Sequence, residues 1–203
     1  MTANTADTGT TLTVSKKGNL IGFSTGSDQM MRVVVLFKKA ELQRIGLQAK
    51  ELHWRCVSPD CRFAMSNGIS NRTTFWDTTT GMFTRIDNGH HNYCGQFSHD
   101  GTAAILAGVF RWDIWNLRQN AKVASGTVTG GHIYSIASSS NGERLLTGLS
   151  DGTVWLWDVR AGKELMVFRG HENPVRSVML SPDRRYAVSG DQLGTIMLWR
   201  IRK

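Results

Sequence analysis

At 203 residues the chain is long enough to bury one sizeable hydrophobic core. Its 24 Lys and Arg against 16 Asp and Glu give a net charge of +8 and a pI near 9.8, which favours polyanions in a salt-dependent way, although the positive charges fall in scattered short pairs such as Lys16-Lys17 and Arg184-Arg185. Three cysteines (Cys56, Cys61, Cys94) without disulfide or zinc spacing, a hydrophilic Met1 to Val14 and no apolar run of membrane-spanning length argue against a secreted or membrane protein, so the expectation is a reduced, intracellular chain of the cytoplasm or nucleus that needs no metal or cofactor.

The predicted elements are all short strands between turns rich in Gly, Asp, Asn and Ser. The first unit has a turn at Ser15-Lys16-Lys17-Gly18 and a strand at Leu20-Ile21. Its third strand, Arg32 to Phe37, comes about four residues later than in the other units and ends in Phe37 where the others have Trp. Lys38 to Leu52 reads as a fourth strand plus loop. The second unit carries the turn Ser58-Pro59-Asp60 and Trp76-Asp77; the third carries His91, Ser98 and Trp115. The fourth runs from Ser139-Ser140-Asn141-Gly142 through Leu145-Leu146-Thr147-Gly148 to Asp151-Gly152-Thr153-Val154-Trp155-Leu156-Trp157-Asp158. The last repeats it with Ser181-Pro182-Asp183, Ala187-Val188-Ser189-Gly190 and Gly194-Thr195-Ile196-Met197-Leu198-Trp199.

The turn serines are spaced 43, 40, 41 and 42 residues apart, and the tryptophans 39, 42 and 42. Two independent marks thus share a period in the low forties, with four short strands per period, as in a β-propeller blade. The expected fold is all-β, a single propeller domain of about five four-stranded antiparallel blades at 9–50, 51–88, 89–129, 130–169 and 170–203. Trp112 and Trp155 are extra tryptophans whose simplest role is filling between blades.

The in-register pattern of Gly-His, Ser-Pro-Asp, Ser-Gly, Asp-Gly-Thr and Trp-Asp resembles the WD-repeat family, most strongly over 131–203. That resemblance implies a hydrogen-bonded chain of His, Ser or Thr, Asp and Trp inside each blade. His132, Thr147, Asp151 and Trp157 form the one full set, although His132 lies three residues nearer its strand than His171 does. The last blade has His171, Ser189 and Trp199, with Leu193 where the Asp would stand. The third blade has Ala107 where a hydroxyl would be needed, so the Trp115 indole is expected to lack its partner. The resemblance also places partner-contact positions near the starts of first strands, at His53, Trp54, Tyr93, Tyr134, Glu172, Asn173 and Arg176, and in turns at Arg72 and Gln192.

The family's usual ring has seven blades. Closing five would need about 72° per blade in place of about 51°. The expectation is therefore an incomplete ring, or part of a larger propeller, whose last blade takes its outer strand from the N-terminus or from another chain. The implied function is a non-catalytic protein-interaction scaffold. One alternative is an RNA- or ribosome-associated scaffold driven by the basic charge. Another is a substrate receptor of a cullin-type ubiquitin ligase, because Trp157-Asp158-Val159-Arg160 resembles a Trp-Asp-x-Arg box with Arg160 as its contact. Gly22-Phe23-Ser24-Thr25-Gly26 fits a nucleophile-elbow formula, but Ser24 falls on a predicted second strand and not on a strand-to-helix turn. His90, His91, Cys94 and His99 resemble a metal cluster, yet His91 and His99 flank a strand that would separate them by about 26 Å. No catalytic set is expected.

Overall fold

In the computed structural model the described residues are the strand segments 12–14, 20–24, 30–35, 40–46 and 52–57, and then 58–68, 71–87 and 89–202; side chains are described for 56–66, 71–87 and 89–202. The first unit's turn at Ser15 and Gly18, Phe37, the Met1 to Asp7 segment and the side chains of His53 and Trp54 lie outside this set. None of the described residues is helical, and their strands make five sheets. Four are four-stranded: β1 (Leu12–Val14), β2 (Leu20–Ser24), β3 (Met30–Val35) and β4 (Ala40–Gly46); β5 (Leu52–Val57), β6 (Phe63–Gly68), β7 (Arg72–Asp77) and β8 (Phe83–Asp87); β9 (Asn92–Phe97), β10 (Ala103–Gly108), β11 (Arg111–Asn116) and β12 (Ala121–Thr127); β13 (Ile133–Ser138), β14 (Arg144–Leu149), β15 (Val154–Asp158) and β16 (Lys163–Phe168). The fifth holds β17 (Val175–Leu180), β18 (Tyr186–Asp191) and β19 (Ile196–Arg200). Each sheet is an antiparallel meander in chain order, the blade of a propeller. The chain divides into two compact units, Met1–Asn92 and Tyr93–Lys203.

The repeated serine has a mechanical reason. Ser58, Ser98, Ser139 and Ser181 each accept a backbone N–H five residues on, at 2.8, 3.0, 2.9 and 2.9 Å. Each also donates to a turn side chain two residues on: Asp60, Asp100, Asn141 or Asp183, at 2.6 to 2.8 Å. One hydroxyl thereby closes the turn between the first and second strands. The residue three past the serine takes the left-handed conformation: Cys61 (φ 58°), Gly101 (72°), Gly142 (72°) and Arg184 (60°). Glycine does this without strain at two of the four positions.

In the first unit, Ala64, Met65, Phe75, Trp76 and Ile86 are buried. In the second unit the core lies between sheets. Ile105, Ala107, Trp112 and Ile114 of the third sheet pack on Ile133, Leu145, Leu149, Trp155 and Trp157 of the fourth. Leu146, Val154, Leu156 and Phe168 on the other side of that sheet pack on Val175, Val178 and Ala187 of the fifth. Both faces of a blade are thus apolar because each is covered by a neighbour. The extra tryptophans fill this interior. Trp155 stacks on Trp157 at 5.4 Å and 17°, and Trp112 meets Trp157 edge-on at 5.6 Å.

Candidate protein-interaction surface

The inner strands carry a register irregularity at one repeated place. Ile133 pairs with Leu149 and Ser135 with Gly148, which leaves Tyr134 as the extra residue of a β-bulge. Val175 and Ser177 pair with Asp191 and Gly190 around Arg176, and Leu52 and Trp54 with Gly68 and Asn67 around His53. A bulge re-aims its extra side chain away from the pleat, so the expected contact positions Tyr134 and Arg176 are set by backbone geometry.

In the second unit these side chains converge. The Tyr93 ring lies 5.4 Å from Tyr134, edge-on, and 5.4 Å from His132. His132 is also 5.1 Å from Phe110 and 6.5 Å from Tyr134. The Arg176 guanidinium sits 4.3 Å over the Tyr134 ring and donates to Gln192 Oε1 at 2.8 Å. Tyr93 and Phe110 are 37% and 48% exposed, and Arg176 and Gln192 are also exposed. Three sheets of one unit therefore offer a continuous aromatic and guanidinium surface.

Phe110 occupies the two-residue hairpin between β10 and β11 with φ of 56°. The corresponding turns of the next two sheets use Gly152 (φ 83°) and Gly194 (φ 89°). A bulky residue in this region costs about 1–3 kcal/mol, and such strain gathers at binding sites. Neither Phe110 nor His132 was expected on this surface from the sequence. The signal for Phe110 was an aromatic residue where the next two blades place glycine.

His132 is here because it stands in a different register from His171. Its carbonyl accepts the Ser150 N–H at 2.9 Å, as the Pro174 carbonyl accepts Gln192 N–H at 2.9 Å. His132 is thus the counterpart of Pro174, three residues nearer its strand than His171. Its own N–H donates to Ser150 Oγ at 2.9 Å, and its Nδ1 has no partner among the described residues.

The internal chain expected of His132, Thr147, Asp151 and Trp157 is consequently half formed. Trp157 Nε1 donates to Thr147 Oγ1 at 3.1 Å, while Asp151 Oδ1 accepts the Thr153 N–H and hydroxyl at 3.0 and 2.6 Å. The complete chain is in the last blade. There His171 Nε2 is 2.6 Å from Ser189 Oγ, Trp199 Nε1 donates to the same hydroxyl at 2.7 Å, and His171 Nδ1 lies 3.3 Å from Asp191 Oδ2. The gap expected at Leu193 is filled by Asp191, which also accepts the N–H groups of Leu193 and Thr195 at 3.0 and 2.9 Å. Burial alone would raise the Asp191 pKa; the Thr195 and Leu193 amides, then the Thr195 hydroxyl and His171, outweigh it and hold the carboxyl below the usual range. In the third blade the Trp115 indole N–H has no partner among the described residues.

The other expected positions lie elsewhere. Glu172 is exposed and Asn173 half-buried in the segment leading to β17. Arg72, in the first unit, is 3.7 Å from Asp87, with both side chains 61% exposed. Arg160 is exposed in the turn after β15, at the opposite end of its blade from Tyr134. Ser24 ends β2, on a strand. Cys94 Sγ faces the carbonyls of Ala107 and Ile133 at 3.8 and 3.9 Å, and burial drives its pKa far up, so it is a protonated thiol held by backbone. The described residues contain no group of three His, Cys, Asp or Glu placed to hold a metal.

Comparison with known proteins agrees with this architecture. The family model described as "WD domain, G-beta repeat" matches residues 123–158 and 162–200. The WD repeat-containing protein 91 homolog of Dictyostelium discoideum is 22% identical over 187 residues, which are 89% of this chain and 23% of that protein. The guanine nucleotide-binding protein subunit beta of Oryza sativa subsp. japonica is 29% identical over 59% of this chain and 34% of its own length. The target of rapamycin complex subunit wat1 of Schizosaccharomyces pombe is 26% identical over 66% of this chain and 44% of its own. The chain thus spans between 23% and 44% of the length of these relatives. Residues 123–158 and 162–200 thus carry WD repeats, and the blade-like sheets of the other described residues make the chain similar to the WD-repeat family over its remaining length.

Proposed function

We propose that this chain is a non-catalytic scaffold that binds a protein partner through the surface of Tyr93, Phe110, His132, Tyr134 and Arg176. The carrying observation is the convergence of bulged and strained positions on that surface. A backbone that strains Phe110 and bulges at Tyr134 and Arg176 aims side chains outward, where they do little for the core. Tyrosine and arginine are the usual energetic anchors of interfaces. WD-repeat proteins generally act as protein-binding scaffolds, and two of the relatives are named as subunits of assemblies. The reading includes a partner that extends the ring beyond the last sheet.

The test is quantitative affinity purification of the chain from its native cells, comparing the wild type with Tyr134→Ala and Arg176→Ala. A companion that falls at least tenfold in both variants, while both unfold at the wild-type midpoint, supports the reading. An unchanged set of companions refutes it.

The RNA alternative draws on one observation. Arg160, Lys163, Arg185 and Arg200 are exposed at the turn end of the last two blades, opposite the aromatic surface. Binding to single-stranded RNA that falls steeply with salt and weakens with Arg185→Ala and Arg200→Ala would favour it; salt-independent or absent binding would remove it.

A further inference from the structure

β8 (Phe83–Asp87), the outer strand of the second sheet, differs from the other fourth strands among the described residues in carrying no bulge. The register of β4 skips Leu42, that of β12 skips Val123 and that of β16 skips Leu165, so each of those edges is bulged. A bulge twists an edge and breaks the even spacing of its outward backbone groups, which discourages pairing with another strand. β8 instead pairs with β7 without a break, from Arg72 with Asp87 to Trp76 with Phe83, and no described strand lies on its other side.

The ladder fixes where the β8 backbone points. The Asp77 N–H donates to the Met82 carbonyl at 2.9 Å, so those two form a hydrogen-bonded pair. Bonded and non-bonded pairs alternate, which leaves Trp76 with Phe83, Thr74 with Arg85 and Arg72 with Asp87 non-bonded. The N–H and C=O groups of Phe83, Arg85 and Asp87 therefore face outward, about 7 Å apart along the strand.

The side chains narrow the occupant. Met82 and Phe83 are 73% and 56% exposed, which makes one end of the edge apolar. Asp87 is engaged by Arg72 at 3.7 Å and by the Gly89 N–H at 3.0 Å. The exposed Arg85 guanidinium lies 5.1 Å over the Phe83 ring and meets no carboxylate among the described residues. Opposite charges facing each other across a strand pair stabilise it, and like charges destabilise it. A second copy laid antiparallel along the whole of β8 would set Arg85 against Arg85. Shifting that copy by two residues either way leaves only three residues of each β8 paired.

We infer that the outer edge of β8 takes up an extended segment of a different polypeptide as an added antiparallel strand, with Asp or Glu opposite Arg85 and an apolar residue opposite Phe83. Main-chain bonds to Phe83, Arg85 and Asp87 hold the segment, and its acidic and apolar side chains select it. β8 belongs to the first unit, so this interface goes beyond the aromatic surface of the second. The probe is the synthetic peptide acetyl-Lys-Thr-Glu-Thr-Leu-amide, added in millimolar excess to the full chain, with amide hydrogen exchange read by NMR. The amides of Phe83, Arg85 and Asp87 are expected to slow about fivefold, while those of Thr84 and Ile86, which face β7, stay unchanged. The same peptide N-methylated at its Glu has no effect, and Arg85→Glu transfers the response to a peptide with Lys in place of that Glu. Tyr134→Ala and Arg176→Ala leave the slowing intact, so failure of the aromatic-surface reading is distinguishable. No slowing at the three amides, equal slowing by the N-methylated peptide, or slowing without peptide as protein concentration rises, which marks a second copy, overturns the inference.

Discussion

Replacing His171 with alanine tests the division of labour between the two histidines. The His171 side chain is 0% exposed, with one ring nitrogen 2.6 Å from Ser189 Oγ and the other 3.3 Å from Asp191 Oδ2. A neutral hydrogen bond contributes about 0.5–1.5 kcal/mol and one to a charged group about 1.5–3. Ser189 keeps the Trp199 indole N–H, and Asp191 keeps two backbone N–H groups, so neither is stranded. The expected loss is therefore about 2–4 kcal/mol. His132→Ala removes only ring contacts at a half-buried position and leaves Trp157 bonded to Thr147, so its expected cost is about 1 kcal/mol or less. Urea unfolding followed by tryptophan fluorescence reads both. Equal losses in the two variants, or a larger loss for His132→Ala, would refute the assignment of the complete network to the last blade.

Three further outcomes are expected. Gly152→Ala places a Cβ 2.3 Å from the His171 carbonyl oxygen at φ of 83°, and should lower stability by several kcal/mol in the same assay, about 2–4 from strain and displacement. Asp100 and Asp183 are held below the usual carboxyl range first by the Ser98 and Ser181 hydroxyls. Their folded pKa values lie below the unfolded value of about 3.9, so the stability they contribute is complete above that value and is lost as pH falls through the folded values; in an NMR titration Ser181→Ala should move Asp183 upward. Burial and then Asp60 push the Cys61 pKa up to about 11, and burial raises Cys94 further, so at pH 8 both should react with a thiol reagent far more slowly in native protein than in urea.

The blade architecture was legible in the sequence because its causes are local. A serine that accepts one N–H and donates to one side chain must sit at a fixed offset from the strand it closes, and Ser58, Ser98, Ser139 and Ser181 do so. Trp76, Trp115, Trp157 and Trp199 all fall on third strands, since a strand of alternating faces fixes which residue reaches the next blade. Both faces of the fourth sheet could be read as apolar for the same reason.

What only the tertiary structure decided depends on displacements of one to three residues. The sequence already shows His132 three residues nearer its strand than His171, and the expectation was that both would serve the internal chain; only the structure shows that this offset sends one ring among Tyr93, Phe110 and Tyr134 and the other between Ser189 and Asp191. Asp191 replaces the missing acid at Leu193 because, at the end of its strand, its carboxylate comes within 3.3 Å of His171. The convergence of Tyr134 and Arg176 depends on bulges; such an extra residue can break the alternation, as between Val175 and Val178, but the direction in which its side chain leaves the strand is set by the backbone. Hydrophobic spacing therefore fixes which side of a strand is buried, whereas the direction of a few polar and aromatic side chains at its ends depends on backbone geometry set by neighbouring strands.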